Sequence, residues 1–292
     1  MHTTVLYHGN CPDGYAAAYA CWQQFGEDAQ YLPVFYGQPV PDIPAEHTIY
    51  IVDFSYAEDV LRALARRHIV TIIDHHATAC RVLVLLQRQV LRGLDIVFDM
   101  EESGATLAWK WFHTRGDLPN PSHQPDIWAA VEQSLPTFFK YVRDRDLWRW
   151  QLPDSKAVSL AYWSIEKDFL TIEQFAQNLD DAEGYQCIVT EGNAMQRYAA
   201  RLVAEQAARA TWGTIGGFPV RIVNATTLFS EVGESLCATS DALFSAYYFD
   251  RNDGQRQWGL RGYGTVDVSI VAQQYGGGGH RDAAGFMTAQ HW

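Results

Sequence analysis

Basic residues are scarce in this 292-residue chain: 22 Lys+Arg stand against 34 Asp+Glu, a formal net charge of −12. A protein that grips long duplex DNA through its phosphates needs a basic surface, so duplex DNA is not an expected partner. Net charge is a global average, however, and a local basic or metal-filled cleft can still take an anion. Lysine occurs only at Lys110, Lys140, Lys156 and Lys167. The bias towards arginine suits bidentate phosphate contacts, and genome composition explains it equally well. No run of about 18 apolar residues is present, so no membrane span is expected. The opening residues, MHTTVLYHGNCPDG, show no basic region followed by an apolar one, so no secretory signal is expected. Cysteine is limited to Cys11, Cys21, Cys80, Cys187 and Cys237, without CxxC or zinc-type pairing. That pattern fits reduced thiols in a cytoplasm better than a disulfide framework.

What the chain does have is 48% hydrophobic residues with only 19% charged, the profile of a globular protein. At roughly 150 residues per domain, the length predicts two domains. In the first third, VLYHG (5–9), TIYIVDF (48–54), IVTIID (69–74) and DIVFDM (95–100) read as buried strands. Between them, residues 15–25, 57–67 and 78–92 carry helical spacing. Strand–helix alternation of this kind predicts an α/β fold with a parallel sheet covered on both faces. From 102 to about 186 the chain reads as helical, and 191–212 as one long connecting helix. A smaller α+β block follows, with strands expected near 219–225, 241–250, 256–264 and 283–289, and a turn at RNDG (251–254). The expected domains are therefore 1–186 and 213–292, joined by a helical connector over 187–212.

Parallel sheets place their chemistry at the carboxyl ends of the strands. VLYHG runs into NCPDG, which puts His8 and Asp13 at the first such end. IYIVD ends in Asp53, and VTIID ends in Asp74 followed by His75 and His76. Singly, each has a plain alternative: Asp53 as a helix cap, His8 as a core histidine, His75–His76 as a surface pair. Together, imidazoles and carboxylates at three strand ends suit a Mn²⁺-like ion or a two-metal site. Near the other end stands VAQQYGGGGHRDAAGF (271–286). Four glycines in a row exclude a stable helix there and suit an ordered turn whose amides approach an anion. His280 would add a charge-assisted contact.

The joint pattern of HGNCPDG, VDFS, IIDHH and, about 200 residues later, GGGGHRDAAG resembles the DHH family of phosphoesterases with its DHH-associated C-terminal domain. The family includes RecJ-type single-strand exonucleases, oligoribonucleases and cyclic-dinucleotide phosphodiesterases. The resemblance implies a two-domain enzyme using Mn²⁺ or Mg²⁺. It assigns metal contacts to His8, Asp13, Asp53 and His75, with Asp53 bridging. His76 would contact the scissile phosphate, and Asp74 would orient a histidine. A further aspartate is expected in FFKYVRDRDLWRW, with Asp144 ahead of Asp146. Arg261, Gly277, Gly278, Gly279 and His280 would bind substrate. One departure stands out: Tyr15 occupies the place of a second motif aspartate, which leaves one ion or two, since neutral tyrosine is a poor ligand for a hard cation.

The reaction expected is metal-dependent hydrolysis of phosphodiester or phosphomonoester bonds, of the nanoRNase kind. The acidic balance disfavours a long strand, which points to short oligonucleotides, dinucleotides or nucleotides in the cytoplasm. A homodimer is compatible with this organisation. The alternatives are a RecJ-like single-strand exonuclease and a catalytically degenerate nucleotide-binding or sensor protein.

Overall fold

A computed structural model describes residues 2–9, 11–89 and 91–290; Asn10 of the first motif and Val90 of the third expected helix lie outside the described residues. The chain divides into two compact units, Met1–Met195 and Gln196–Trp292. Among the described residues, no helix is long and apolar enough to cross a membrane.

The first unit begins with β1 (Thr3–His8), α1 (Pro12–Phe25), β2 (Ala29–Val34), β3 (Thr48–Val52), α2 (Glu58–Ala65), β4 (Ile69–Asp74), α3 (Ala77–Arg88) and β5 (Leu94–Phe98). These strands form one parallel sheet in the order β2-β1-β3-β4-β5. Both faces are covered, which is why the strands are almost continuously apolar. Val5, Val52 and Ile73 point into one core with α1 residues such as Ala16 and Ala17. Leu6, Ile51 and Ile72 point into the other, with Leu61 of α2 and Leu83 of α3. Strand β2 was not among the expected strands. It is half-exposed at the sheet edge and carries Pro33, a position proline tolerates because no partner needs its missing N–H.

Helices α4 (Gly104–His113), α5 (Pro125–Ser134), α6 (Thr137–Asp146), α7 (Ser155–Ser164) and α8 (Phe169–Asp180) follow. Phe138 and Phe139 of α6, Val158 and Tyr162 of α7 and Phe175 of α8 join the α1 core. The long helix α9 (Ala182–Ala207) starts earlier and stops sooner than expected, and the unit boundary falls within it.

The second unit holds β6 (Thr211–Ile215), β7 (Phe218–Asn224), α10 (Phe229–Ala238), β8 (Phe244–Asp250), β9 (Gln255–Gly262), α11 (Val268–Gln273), β10 (Gly278–His280) and β11 (Ala283–Ala289). Residues 211 and 212, expected to end the long helix, instead open β6. The six strands form a mixed sheet in the order β10-β11-β9-β8-β7-β6. One face packs Phe244, Leu260 and Phe286 against Val268 and Val271 of α11. The other packs Tyr247 and Val223 against Val232 and Leu236 of α10. The overall class is the expected one, a parallel α/β unit with a helical extension and a smaller α+β unit.

Candidate metal centre

The strand order 2-1-3-4-5 reverses between β1 and β3, and ligand sites in open α/β sheets form in the crevice outside the carboxyl ends at such a reversal. His8 ends β1 and Asp74 ends β4; Asp53 follows β3 directly, and His75 and His76 follow Asp74. Asp53 has φ 54°, a left-handed conformation rarely adopted by a side-chain-bearing residue, and strain of this kind concentrates at functional sites. Its carboxylate faces three rings: His75 Nε2 at 3.1 Å, His8 Nδ1 at 3.2 Å and His76 Nδ1 at 3.9 Å.

Asp13 reaches the same place from the first turn of α1. Its carboxylate accepts from the backbone N–H groups of Gly104 (2.6 Å) and Ala105 (3.1 Å), so the positive end of α4 holds it. Two glycines make these approaches feasible. A Cβ on Gly14 would lie 2.1 Å from His8 O, so only glycine lets α1 start this close to the end of β1. A Cβ on Gly104 would lie 2.6 Å from Asp53 Cβ and 2.8 Å from its Oδ1.

Asp146, the last residue of α6, places Oδ2 3.6 Å from His75 Nε2, while Asp13 Oδ2 lies 3.7 Å from the same nitrogen. Two three-donor groups result: His8, Asp53 and His76, and Asp13, His75 and Asp146, with the donor atoms of each within 4.8 Å of one another. Asp74 stands behind them. Its Oδ1 accepts from His76 Nδ1 at 2.7 Å and from the backbone N–H of His75 at 2.8 Å, which fixes how the His76 ring is presented.

Asp144 is placed elsewhere. Buried within α6, its carboxylate accepts from the backbone N–H of Gln151 (2.9 Å) and Leu152 (3.2 Å) and from Ser155 Oγ (2.6 Å). It ties down the loop after α6, in which Trp148 and Trp150 both have positive φ. The order of preference expected from the sequence is therefore reversed: Asp146 joins the cluster and Asp144 holds the loop. Tyr15 packs its ring 5.5 Å from that of Tyr7, against the α1 core, so the place of the absent motif aspartate is filled by a core aromatic.

The electrostatics fit a cation. Burial, followed by the Asp53 and Asp146 charges, pushes the Asp13 carboxyl well above its usual range. Burial also opposes ionisation of Asp53, yet hydrogen bonds from His75 and His8 overrule it and hold that group well below. For His75 burial favours the neutral ring, but Asp146, Asp53 and Asp13 outweigh it and raise its pKa well above the ordinary value. Buried carboxylates and imidazoles crowded in this way could hold a divalent cation, which would relieve the carboxylates' repulsion.

In the second unit, Arg261 lies on β9, with Nε and Nη2 donating to Ser230 Oγ (3.3 and 3.0 Å) and Nη1 to Leu260 O (2.8 Å). The glycine segment is ordered. Gly277 N donates to Ala272 O at 3.0 Å, closing α11, and Gly278 to His280 pair antiparallel with β11 as strand β10. The Gly277 amide expected to meet an anion is thus engaged within the fold.

No family model matches the chain. It is 24% identical, over 96% of its length, to the uncharacterized protein R106 of Acanthamoeba polyphaga mimivirus, and spans 66% of that protein. Among solved structures it is similar to an exopolyphosphatase-related protein from Bacteroides fragilis, with TM-score 0.53, 11% identity and coverage of 99% of this chain and 87% of the other. It also matches a pGpG-specific phosphodiesterase from Vibrio cholerae (TM-score 0.45, 15% identity, 99% and 94% covered). RecJ from Thermus thermophilus in complex with Mn²⁺ matches at TM-score 0.45 and 16% identity, with 99% of this chain and 49% of RecJ covered. The fold is shared with the exopolyphosphatase-related protein, in keeping with the two-unit α/β architecture expected from the sequence.

Proposed function

We propose that this protein is a metal-dependent phosphohydrolase that cleaves phosphodiester or phosphomonoester bonds of short oligonucleotides, dinucleotides or nucleotides, with Mn²⁺ or Mg²⁺ as the ion and the cytoplasm as its compartment. The observation that carries the reading is the meeting of His8, Asp13, Asp53, His75, His76 and Asp146 as two donor groups at one sheet edge. Bound divalent ions would withdraw charge from the phosphate and lower the pKa of water towards neutrality. The chain's own residues do the rest. Asp13, Asp53, His8, His75 and Asp146 would hold the cations, and Asp74 would orient His76 towards the scissile phosphate. Arg261, with Gly278, Gly279 and His280, would bind substrate, where a guanidinium held by Ser230 is preset for a phosphate.

The acidic surface favours few phosphates over many, since each extra contact on a long strand calls for another basic residue. The test is a hydrolysis panel with Mn²⁺ or Mg²⁺ containing short RNA and DNA, linear and cyclic dinucleotides, adenosine bisphosphate, pyrophosphate and a long single strand. Turnover of the short substrates, lost in Asp53→Ala and His75→Ala, is the expected result. Processive degradation of the long strand would overturn the substrate size, and full turnover in both variants would overturn the site.

A further inference from the structure

A four-charge network, buried at Glu102 and Lys110 and partly exposed at Glu132, lies in the helical part of the first unit. Lys110 of α4 is wholly buried, with Nζ 2.9 Å from Glu102 Oε1 and 2.6 Å from Glu132 Oε2 of α5. The Trp128 ring of α5 covers the ammonium at 4.1 Å from its centroid. Arg143 of α6 donates through Nη1 to both Glu102 oxygens (3.2 and 3.1 Å) and to Glu132 Oε2 (3.0 Å), and through Nη2 to Glu132 Oε1. Glu102 also accepts from Thr106 Oγ1 at 2.7 Å, and Thr106 completes the capping box of Ser103 at the start of α4. Two cations and two anions balance, and three helices are tied to one point.

Such a network is a costly way to hold helices together, because well-packed apolar residues of similar size are often as stable or more so. What it supplies is direction, since an arginine fork on two carboxylates admits one geometry. The two helix ends it fixes are those that serve one donor group. The first turn of α4, next to Glu102, offers the Gly104 and Ala105 amides to Asp13. The last turn of α6, three residues on from Arg143, offers Asp146. The other donor group, His8, Asp53 and His76, comes from the ends of β1, β3 and β4 and takes no donor from either helix, its one close approach to them being the packing of Asp53 against Gly104.

We infer that Glu102, Lys110, Glu132 and Arg143 are positioning residues, which set the spacing of Asp13 and Asp146 and thereby govern binding of one ion, the one held by Asp13, His75 and Asp146. The inference rests on the metal reading above. The test is Mn²⁺ binding followed by calorimetry and electron paramagnetic resonance. Wild type is compared with Glu132→Gln, with Arg143→Lys, which keeps the charge and loses the fork, and with Leu83→Ala as a control. Leu83 of α3 is buried in the opposite core, so its truncation lowers stability without touching the network. Asp146→Asn marks which binding event belongs to the second group.

The expected result is a fall of about tenfold or more in affinity for that one ion in Glu132→Gln, as for other residues that orient metal ligands, with the ion of the His8–Asp53–His76 group changed by less than about threefold. Leu83→Ala keeps both. If Glu132→Gln fails to fold, Arg143→Lys gives the same readout. Wild type taking up no Mn²⁺ overturns the site reading and this inference with it. Two ions in wild type, with both or neither weakened in the variants, overturns this inference alone.

Discussion

Asp144 and Asp146 stand two residues apart, and the structure gives them opposite consequences on mutation. Replacing Asp144 by asparagine leaves one acceptor oxygen where the carboxylate served the Gln151 and Leu152 amides and the Ser155 hydroxyl. The hydroxyl can turn to accept from the new NH₂, but one of the two amides is left facing a donor in either orientation of the side chain. A buried donor without a partner costs about 1–3 kcal/mol, and the remaining bonds lose their charge assistance, so a loss of about 2–4 kcal/mol follows. The loop it helps to hold carries Trp148 and Trp150 in left-handed conformations, which adds backbone strain to the cost of losing that restraint. At roughly 2–4 °C per kcal/mol for a protein of this size, the melting temperature should fall by about 5–15 °C.

Asp146→Asn removes a partly exposed carboxylate whose partner in the cluster is His75 at 3.6 Å. Stability should change by about 1 kcal/mol or less, within the usual range for a substitution outside the core. Affinity for one Mn²⁺ should fall at least tenfold, since a hard cation loses an anionic oxygen. Thermal melts without metal and Mn²⁺ calorimetry on both variants read the two effects separately. An Asp144→Asn protein that melts with wild type yet loses Mn²⁺ would refute the reasoning.

Three further outcomes follow from the same geometry. Because Asp146, Asp53 and Asp13 overrule burial and raise the His75 pKa, a proton competes with the metal for that ring; Mn²⁺ uptake should release protons, and affinity should drop as pH falls, which calorimetry in buffers of different ionisation enthalpy detects. Burial raises the Glu132 carboxyl, but Arg143 and Lys110 lower it to about 2, below its unfolded value of about 4.5. Its contribution to stability is therefore complete above about pH 4.5 and lost as pH falls towards about 2, so the gap in melting temperature between wild type and Glu132→Gln should narrow over that window. Gly104→Ala places a methyl 2.6 Å from Asp53 Cβ and should weaken Mn²⁺ binding and phosphohydrolase turnover together; unchanged values in both would contradict the close approach.

The parts of this architecture that were legible in the sequence are those a parallel sheet positions by itself. Once IVTIID is read as a buried strand, Asp74, His75 and His76 must emerge at its carboxyl end, because a strand has only two faces and one direction. Asp53 follows by the same logic. Residues on helices require a rotation that the sequence does not state. Two steps along a helix turn a side chain by about 200°, so Asp144 and Asp146 had to face opposite ways, and only the packing of α6 decides which meets His75. Lys110 was hidden for a related reason: between Trp109 and Trp111 it reads as the polar side of a half-buried helix, and its partners lie on two other helices. Within α9, Gly192 sits where a Cβ would meet Ala157 O at 2.1 Å. Its absent side chain is what lets α9 lie against α7. Chemistry carried on strand ends can thus be read from one sequence, whereas chemistry carried on helix ends waits on tertiary packing. The two donor groups differ in this respect, and that difference is why their ions should respond differently to mutations in the helical network.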